Sequence, residues 1–205
     1  MPSLAENTES VFKAASPEIA AFLDGAAILV RAAETGDASA LQRMFYRLSL
    51  TTISRWLFIP AQRDPKWAAV LASLAKIDHQ DRYAVVALVD NEIIGIARSD
   101  RGPTREEAEL GIIIEDAWQS RGIGKLLLTF LIIEARRQHI HTFTAMMLSE
   151  NRPAIRLLAS NFGQVSFQWR SGECLARAGL DTFRPVPMTQ KLFELFISSR
   201  EGVFP

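Results

Sequence analysis

Residues 109–128 have the sequence ELGIIIEDAWQSRGIGKLLL. The apolar stretch 109–114 predicts a strand, and the apolar run after Lys125 predicts a helix that extends to about residue 138. Glycines in the loop between them let the backbone approach an anion closely, and the first amides of a helix are unpaired donors at the positive end of its dipole. The stretch therefore predicts an anion site.

Two common phosphate-binding motifs do not fit this loop. A Walker loop requires Gly, four residues and then Gly-Lys-Ser/Thr, but Gln119 stands at the first Gly position and Leu126 follows Lys125. The dinucleotide fingerprint G-x-G-x-x-G would place its third Gly at Leu127, where a bulky side chain is unsuited to close packing of helix and strand. The remaining pattern is Gln-x-x-Gly-x-Gly between a strand and a helix.

This strand, loop and helix resemble motif A of the Gcn5-related N-acetyltransferases (GNAT), in which successive loop amides hold the pyrophosphate of acetyl-coenzyme A. The resemblance implies acetyl-coenzyme A as the cosubstrate, bound mainly through main-chain amides. The implied loop residues are Gln119, Ser120, Arg121, Gly122, Ile123, Gly124 and Lys125. Arg121 and Lys125 would add charge if their side chains turn inward, and would otherwise face solvent. A backbone amide near Ile112, Ile113 or Ile114 would polarise the thioester carbonyl.

A second stretch, residues 151–163, resembles motif B of the same family, with an Asn at a helix start and Phe-Gly at its end. The resemblance implies that the Asn151 side chain contacts the pantetheine arm of the cofactor. An Asn here is also an ordinary helix N-cap, and the two roles are compatible. Many family members carry a Tyr in this helix that reprotonates the departing thiolate. Leu158 stands at that position, so the usual general acid is missing.

The region upstream resembles bacterial protein lysine acetyltransferases of the Pat type. The residues that carry this narrower resemblance are Arg47-Leu48-Ser49, Arg55-Trp56, and Phe58 before Pro60. Leu50 and Thr51 stand where those enzymes usually carry Pro and Glu, so the pattern is incomplete. The narrower resemblance favours a protein lysine as the acceptor.

Acyl transfer to an amine requires a general base, because a lysine with a pKa of ~10.4 is protonated at neutral pH. In Pat-type enzymes an Ala-Glu pair before the apolar strand and glycine loop supplies that base, and Ala108-Glu109 matches the pair. Strand alternation puts Glu109, Gly111 and Ile113 on one face. The resemblance therefore implies Glu109 as the catalytic residue. The alternative is that Glu109 is a solvated residue at a strand edge, which is the commoner position of a Glu.

Composition agrees with one compact domain of 205 residues, 48% hydrophobic and 22% charged. The 23 basic and 23 acidic residues balance, so no strong field attracts nucleic acid or an anionic membrane. No apolar run approaches the ~20 residues that span a bilayer, and the N-terminus lacks the features of a signal peptide. We expect a cytoplasmic monomer or homodimer without a nucleic-acid or membrane partner. His139 and His141 have no third candidate ligand nearby in sequence, so we expect no metal.

The element order predicts an α/β (α+β) fold: a single GNAT-like domain with a mixed, mostly antiparallel central sheet, splayed at the cofactor cleft and flanked by helices. The predicted strands are residues 27–30, 83–89, 92–98, 109–114, 141–148, 164–169 and 173–180. The predicted helices are residues 16–23, 50–58, 65–75, 151–162 and 189–198, the helix after the glycine loop, and one that opens at Gly36-Asp37. The predicted domain comprises residues 26–181, between a partly helical extension (1–25) and a C-terminal extension with a helix (182–205).

The resemblance thus implies an enzyme that moves an acetyl group from acetyl-coenzyme A to a primary amine, with a protein lysine as the favoured acceptor. A small-molecule amine is the second candidate. A third, from another class, is a noncatalytic acyl-coenzyme A sensor that keeps the cofactor loop while its catalytic side chains have drifted. Leu158, at the usual Tyr position, keeps this third candidate open.

Overall fold

The computed structural model describes residues 19–23, 26–60 and 62–185. The strands are β1 (Ile19–Leu23), β2 (Ala26–Ala32), β3 (Arg82–Val89), β4 (Glu92–Arg101), β5 (Glu107–Ile114), β6 (Thr142–Leu148), β7 (Val165–Arg170) and β8 (Glu173–Gly179). The helices are α1 (Ala38–Arg47), α2 (Leu50–Leu57), α3 (Pro65–Ala72), α4 (Ile123–Arg137) and α5 (Arg152–Asn161). All eight strands form one sheet in the order β1-β2-β3-β4-β5-β6-β8-β7.

Neighbouring strands run antiparallel except β5 and β6, which are parallel. This pattern confirms the predicted mixed, mostly antiparallel sheet. The β3–β4 turn holds Asp90 and Asn91 at φ 48° and 63°, and the β7–β8 turn holds Ser171 and Gly172 at φ 50° and 84°. A two-residue type I′ hairpin needs positive φ at both positions, which explains these residue pairs.

Helices cover both faces of the sheet. On one face α4 packs against β3 and β4, and its Leu127, Phe130 and Leu131 are at most 1% exposed. Their spacing is that of a single helix face. On the other face α1 packs against β4 and α3. The apolar stripe formed by α1 and its C-cap residue is fully buried there: Leu41, Met44, Phe45 and Leu48.

The sheet opens between its two parallel strands. β5 and β6 are paired only from Glu107 with Thr142 to Glu109 with Thr144. Beyond that point residues 110–114 of β5 stay paired with β4 on the other side. Their backbone groups on the β6 side have no β-ladder partner in the described structure. The sheet therefore splays after Glu109, as predicted.

Two predicted elements need correction. Residues 19–23, predicted as the end of a helix over 16–23, form β1 and pair with β2, so this part of the predicted extension 1–25 belongs to the sheet. The Ala-rich sequence favours a helix locally, but pairing with the exposed edge of β2 overrides that preference. The strands predicted at 92–98 and 109–114 are longer, because β4 continues to Arg101 and β5 begins at Glu107. The helix predicted at 189–198 lies outside the described residues.

Candidate active site

A cavity of about 420 Å³ lies at the place where the sheet opens. The C-terminal half of β5, the glycine loop and the start of α4 form one wall, α5 forms a second, and α2 forms a third. Its lining residues are Thr52, Arg55, Trp56, Ile112, Ile113, Ile114, Gln119, Ser120, Gly122, Gly124, Lys125, Asn151, Pro153, Ala154, Arg156, Leu157, Ser160 and Asn161.

The glycine loop uses its two glycines differently. Gly122 has φ 87°, and a Cβ there would meet nothing within 4 Å, so its role is to allow this turn before α4. A Cβ on Gly124 would lie 3.1 Å from Cδ2 of Leu157 and 3.3 Å from Cδ1 of Ile114. Gly124 therefore permits close packing of the cavity walls. The first amides of α4, which have no intrahelical partner, lie beside this loop.

Gln119 connects the loop to two other walls of the cavity. Its side-chain Nε2 donates to the carbonyl of Ile114 at 3.0 Å and to Oγ1 of Thr52 at 3.1 Å. Both bonds are internal to the protein, so the side-chain amide braces the loop between β5 and α2. The contribution of Gln119 to a ligand is thereby limited mainly to its backbone.

Asp116 anchors the start of α2 to the same region. It accepts hydrogen bonds from the amide and hydroxyl of Ser49, at 2.8 and 2.6 Å, and from the hydroxyl of Thr52 at 2.8 Å. Burial acts to raise the pKa of Asp116, but the bonds from Ser49 and Thr52 outweigh it and lower the pKa below the ordinary value. The N-cap Ser49 also accepts from the Thr52 amide at 3.1 Å. This network fixes α2 against the loop.

The cavity is electropositive. Arg55, Lys125 and Arg156 line it, and no Asp or Glu does among the described residues. Arg121, which the sequence resemblance placed in the cofactor site, instead lies over the ring of Trp118, with 5.2 Å from its Cζ to the ring centroid. The chain as a whole has no net charge, so this concentration of cations is local.

Glu109 lies at the point where the paired part of β5 ends. Its side chain is exposed and has no ion pair among the described residues. Neighbouring carboxylates on the same face are paired: Glu107 accepts from both terminal nitrogens of Arg177, and Asp100 pairs with Arg98. The hydrogen bond from Arg177 lowers the pKa of Glu107. Glu109 thus differs from these neighbours in having a free carboxylate.

A sequence profile described as the acetyltransferase (GNAT) family matches residues 41–163 of the 205. The match includes the strand, glycine loop and helices that build the cavity. The chain belongs to the GNAT acetyltransferase family. It is an acyltransferase, as the motifs predict. The GNAT fold predicted from the sequence is confirmed by the open sheet and its flanking helices.

Two GNAT relatives are similar over most of the domain. One is the acetyltransferase PA5475 of Pseudomonas aeruginosa, 31% identical over 147 residues, which are 69% of this chain and 77% of that protein. The other is the acetyltransferase Pat of Mycolicibacterium smegmatis, 27% identical over 129 residues. That match covers 62% of this chain but only 38% of the relative's length.

Among solved structures, the GNAT domain of S. lividans PAT superposes with a TM-score of 0.68 at 23% identity. The superposition covers 79% of this chain and 96% of that domain. At this identity the likeness establishes the shared fold.

The structure brings most of the predicted GNAT cofactor residues together around the cavity. Those that line it are Ile112, Ile113, Ile114, Gln119, Ser120, Gly122, Gly124, Lys125 and Asn151. Ile123 is 1% exposed and packs in the core, and the Arg121 side chain points elsewhere. The sequence did not identify Thr52, Arg55 and Arg156 as cavity residues. Helical spacing of Thr52 and Arg55 on α2 is the one local signal that could have grouped those two.

Asn151 lies both at the start of α5 and at the cavity, as the two roles predicted for it require. Its Oδ1 accepts from the Ala154 amide at 3.3 Å, which makes it the N-cap of α5, and it lines the cavity. Leu158 is 3% exposed and packs in the core. That position therefore offers no hydroxyl to a departing thiolate.

Other reactive groups of the described structure are not arranged as a second site. Cys174 is fully buried, and burial raises the pKa of its thiol, so it is a poor nucleophile. No group of three or more metal-binding side chains occurs within the described ranges. Across the same residues, no helix is both long and apolar enough to cross a membrane.

Proposed function

We propose that this enzyme transfers the acetyl group of acetyl-coenzyme A to the side-chain amine of a protein lysine, with Glu109 as the general base. The observation that carries the proposal is the opening of the sheet at Glu109. A free carboxylate therefore lies at the end of the paired part of β5, and the next part of the same strand lines an electropositive cavity that contains glycines.

The cavity has the chemistry that coenzyme A requires. Its phosphates match the three lining cations and the unpaired amides at the start of α4. The amide-containing pantetheine arm matches the open edge of β5 at residues 110–113, since amides exchange hydrogen bonds with a free strand edge. When bound, the cofactor supplies an activated acyl thioester.

Glu109 is suited to accept the proton of the incoming ammonium, directly or through one water. Residues 109 and 112 are about 10 Å apart along the strand, at about 3.3 Å per residue. Gly111 lies between them on the Glu109 face, and a Cβ there would meet nothing within 4 Å. The face between base and cavity is therefore open to an extended amine.

A protein lysine suits this open face better than a small amine does. Glu109 and Gly111 are exposed, and Met146 on the next strand is 43% exposed, so no closed chamber surrounds the carboxylate. A small amine needs walls that fix its orientation, whereas a lysine is positioned by the protein that carries it. The Pat-type sequence pattern supports the same choice.

The test is acetyl transfer from acetyl-coenzyme A to a panel of lysine peptides, folded proteins and small amines. Release of coenzyme A reports the rate, and mass spectrometry locates the acetyl group. We expect transfer to lysine side chains and none to the same peptides with acetylated lysines. Turnover confined to small amines would show that the acceptor is a small molecule and not a protein lysine. Cofactor binding without turnover on any acceptor would indicate a sensor.

A further inference from the structure

Arg55 is the cavity cation with the most unusual surroundings. It comes from α2, whereas Lys125 and Arg156 come from α4 and α5. Its Nε is buried and has no hydrogen-bond partner. Within the described ranges, its guanidinium makes no ion pair or hydrogen bond of any kind. An arginine is always charged and carries five donors, so a buried donor without a partner is costly unless a ligand satisfies it.

Two other arginines of the described chain also have a buried Nε, but their side chains have partners. Arg98 and Arg101 also contain a buried Nε without a hydrogen bond, but Arg98 pairs with Asp100 through its terminal nitrogen. Arg101 bonds the carbonyl of Gln138 at 3.0 Å. Arg55 thus differs from both by facing a cavity instead of a carboxylate or carbonyl.

α2 holds Arg55 at a fixed place beside the glycine loop. Thr52, one turn earlier on the same helix face, bonds both Gln119 and Asp116. α2 also contacts β6, so it reaches across the open part of the sheet. It contributes Ile53 to the hydrophobic cluster that contains Ile113, on the face where Glu109 lies. The helix that presents Arg55 to the cavity therefore also borders the open face around Glu109 and Gly111. We call this the acceptor face, because the proposed function places the amine there.

We propose that Arg55 binds a phosphate group of the coenzyme A donor, so that cofactor binding fixes α2 and completes the border of the acceptor face. The inference rests on the proposed coenzyme A ester as donor. It adds Arg55 as a ligand residue, and it implies that the cofactor binds before the acceptor. A phosphate is favoured because the cavity also contains two other cations and lacks carboxylates within the described structure.

The test is calorimetric titration of coenzyme A into wild type, Arg55→Met, Arg55→Lys and Arg170→Met. Methionine keeps the length of the stem without the charge, and Arg170, exposed at the β7 edge and outside the cavity, controls for net charge. We expect about a tenfold weaker Kd for Arg55→Met, a smaller loss for Arg55→Lys, and no change for Arg170→Met. An unchanged Kd in Arg55→Met would overturn the proposal.

Dephospho-coenzyme A and succinyl-coenzyme A identify which anion Arg55 meets. If the 3′-phosphate is the partner, wild type loses affinity for the dephospho form and Arg55→Met does not discriminate between the two. If the pyrophosphate is the partner, Arg55→Met weakens the binding of both forms by the same factor relative to wild type. A loss restricted to succinyl-coenzyme A would assign Arg55 to an acyl carboxylate and overturn the proposal. Failure of wild type to bind any coenzyme A ester would instead overturn the proposed function.

Two further measurements separate a ligand from a structural arginine. Without cofactor, Arg55→Met should unfold at the same or a higher temperature than wild type, because the substitution removes an unpaired buried donor. Hydrogen exchange of residues 50–57 should slow when coenzyme A binds wild type and remain unchanged in Arg55→Met. A lowered unfolding temperature with equal protection of α2 in both proteins would show that Arg55 is structural.

Discussion

The two halves of β5 differ in their neighbours. Residues 107–109 pair with β6, and 108 and 109 also pair with β4, whereas residues 110–114 pair with β4 alone. The closed half fixes the position of an exposed carboxylate, and the open half leaves backbone groups facing a cavity. Under the proposed function, proton removal and cofactor binding therefore belong to separate segments of one strand. Substitutions in each half should therefore have different effects.

The largest effect is expected for Glu109→Gln, which removes the proposed base without changing the size of the side chain. Turnover with a lysine acceptor should fall by about 100- to 10,000-fold, the usual contribution of a general base. Glu107→Gln is the matched control, since it lies two residues earlier on the same face but forms an ion pair with Arg177. Equal losses of turnover in the two variants would contradict the role of Glu109 as the general base.

Gly111→Val tests whether the acceptor crosses the open half of β5. Its side chain would enter free space on the Glu109 face, and valine suits a strand, so the fold should be retained. We expect kcat/KM for the acceptor to fall at least about tenfold through misplacement of the amine, with the coenzyme A Kd unchanged. Gly111→Ala should have a smaller effect. Wild-type kinetics in the valine variant would exclude this path.

Gly124→Ala tests the cofactor side. The added methyl group would crowd Leu157 and Ile114, and we expect coenzyme A affinity to fall about tenfold. Helix propensity favours alanine over glycine by about 1 kcal/mol, so stability should not fall in parallel. Gly36→Ala, where a Cβ meets nothing within 4 Å, is the control. Calorimetry and thermal unfolding measure the two quantities, and loss of stability with intact affinity would contradict the assignment.

The smallest effect is expected for Asp116→Asn, which weakens the link between α2 and the loop. The folded-state pKa of Asp116 is lowered, so its contribution to stability is fully present above the ordinary carboxyl value and is lost as pH falls through the folded value. Urea unfolding should therefore show a larger wild-type advantage at pH 7 than at about pH 3. An advantage that does not change between these pH values would contradict the role of the ionised carboxylate.

The cofactor side could be predicted from the sequence because its signals are local. A strand, a glycine loop and a helix start follow one another in residues 109–125, and each has its own residue pattern. The splay was also expected, through the resemblance to GNAT enzymes. The sequence left the orientation of the Arg121 side chain open, since a cation at a loop surface can turn either to a phosphate or, as here, to the ring of Trp118.

The α2 wall could not be located from local patterns. Arg55 and Trp56 reach the cavity because α2 crosses the open part of the sheet. A hydrogen bond between Thr52 and Gln119, which are 67 residues apart in sequence, joins α2 to the glycine loop. The β1 strand was missed for a related reason, because its conformation depends on pairing with β2. Contacts between distant segments determine both features.

The most direct test of the separation along β5 measures two quantities in Glu109→Gln and Gly124→Ala: the acetyl-coenzyme A Kd and the turnover rate at saturating cofactor. We predict a wild-type Kd with lost turnover in Glu109→Gln. Gly124→Ala should show a weakened Kd with turnover largely restored at saturation. If Glu109→Gln loses cofactor affinity, or if both variants lose turnover equally at saturation, the two halves of β5 do not have separate roles.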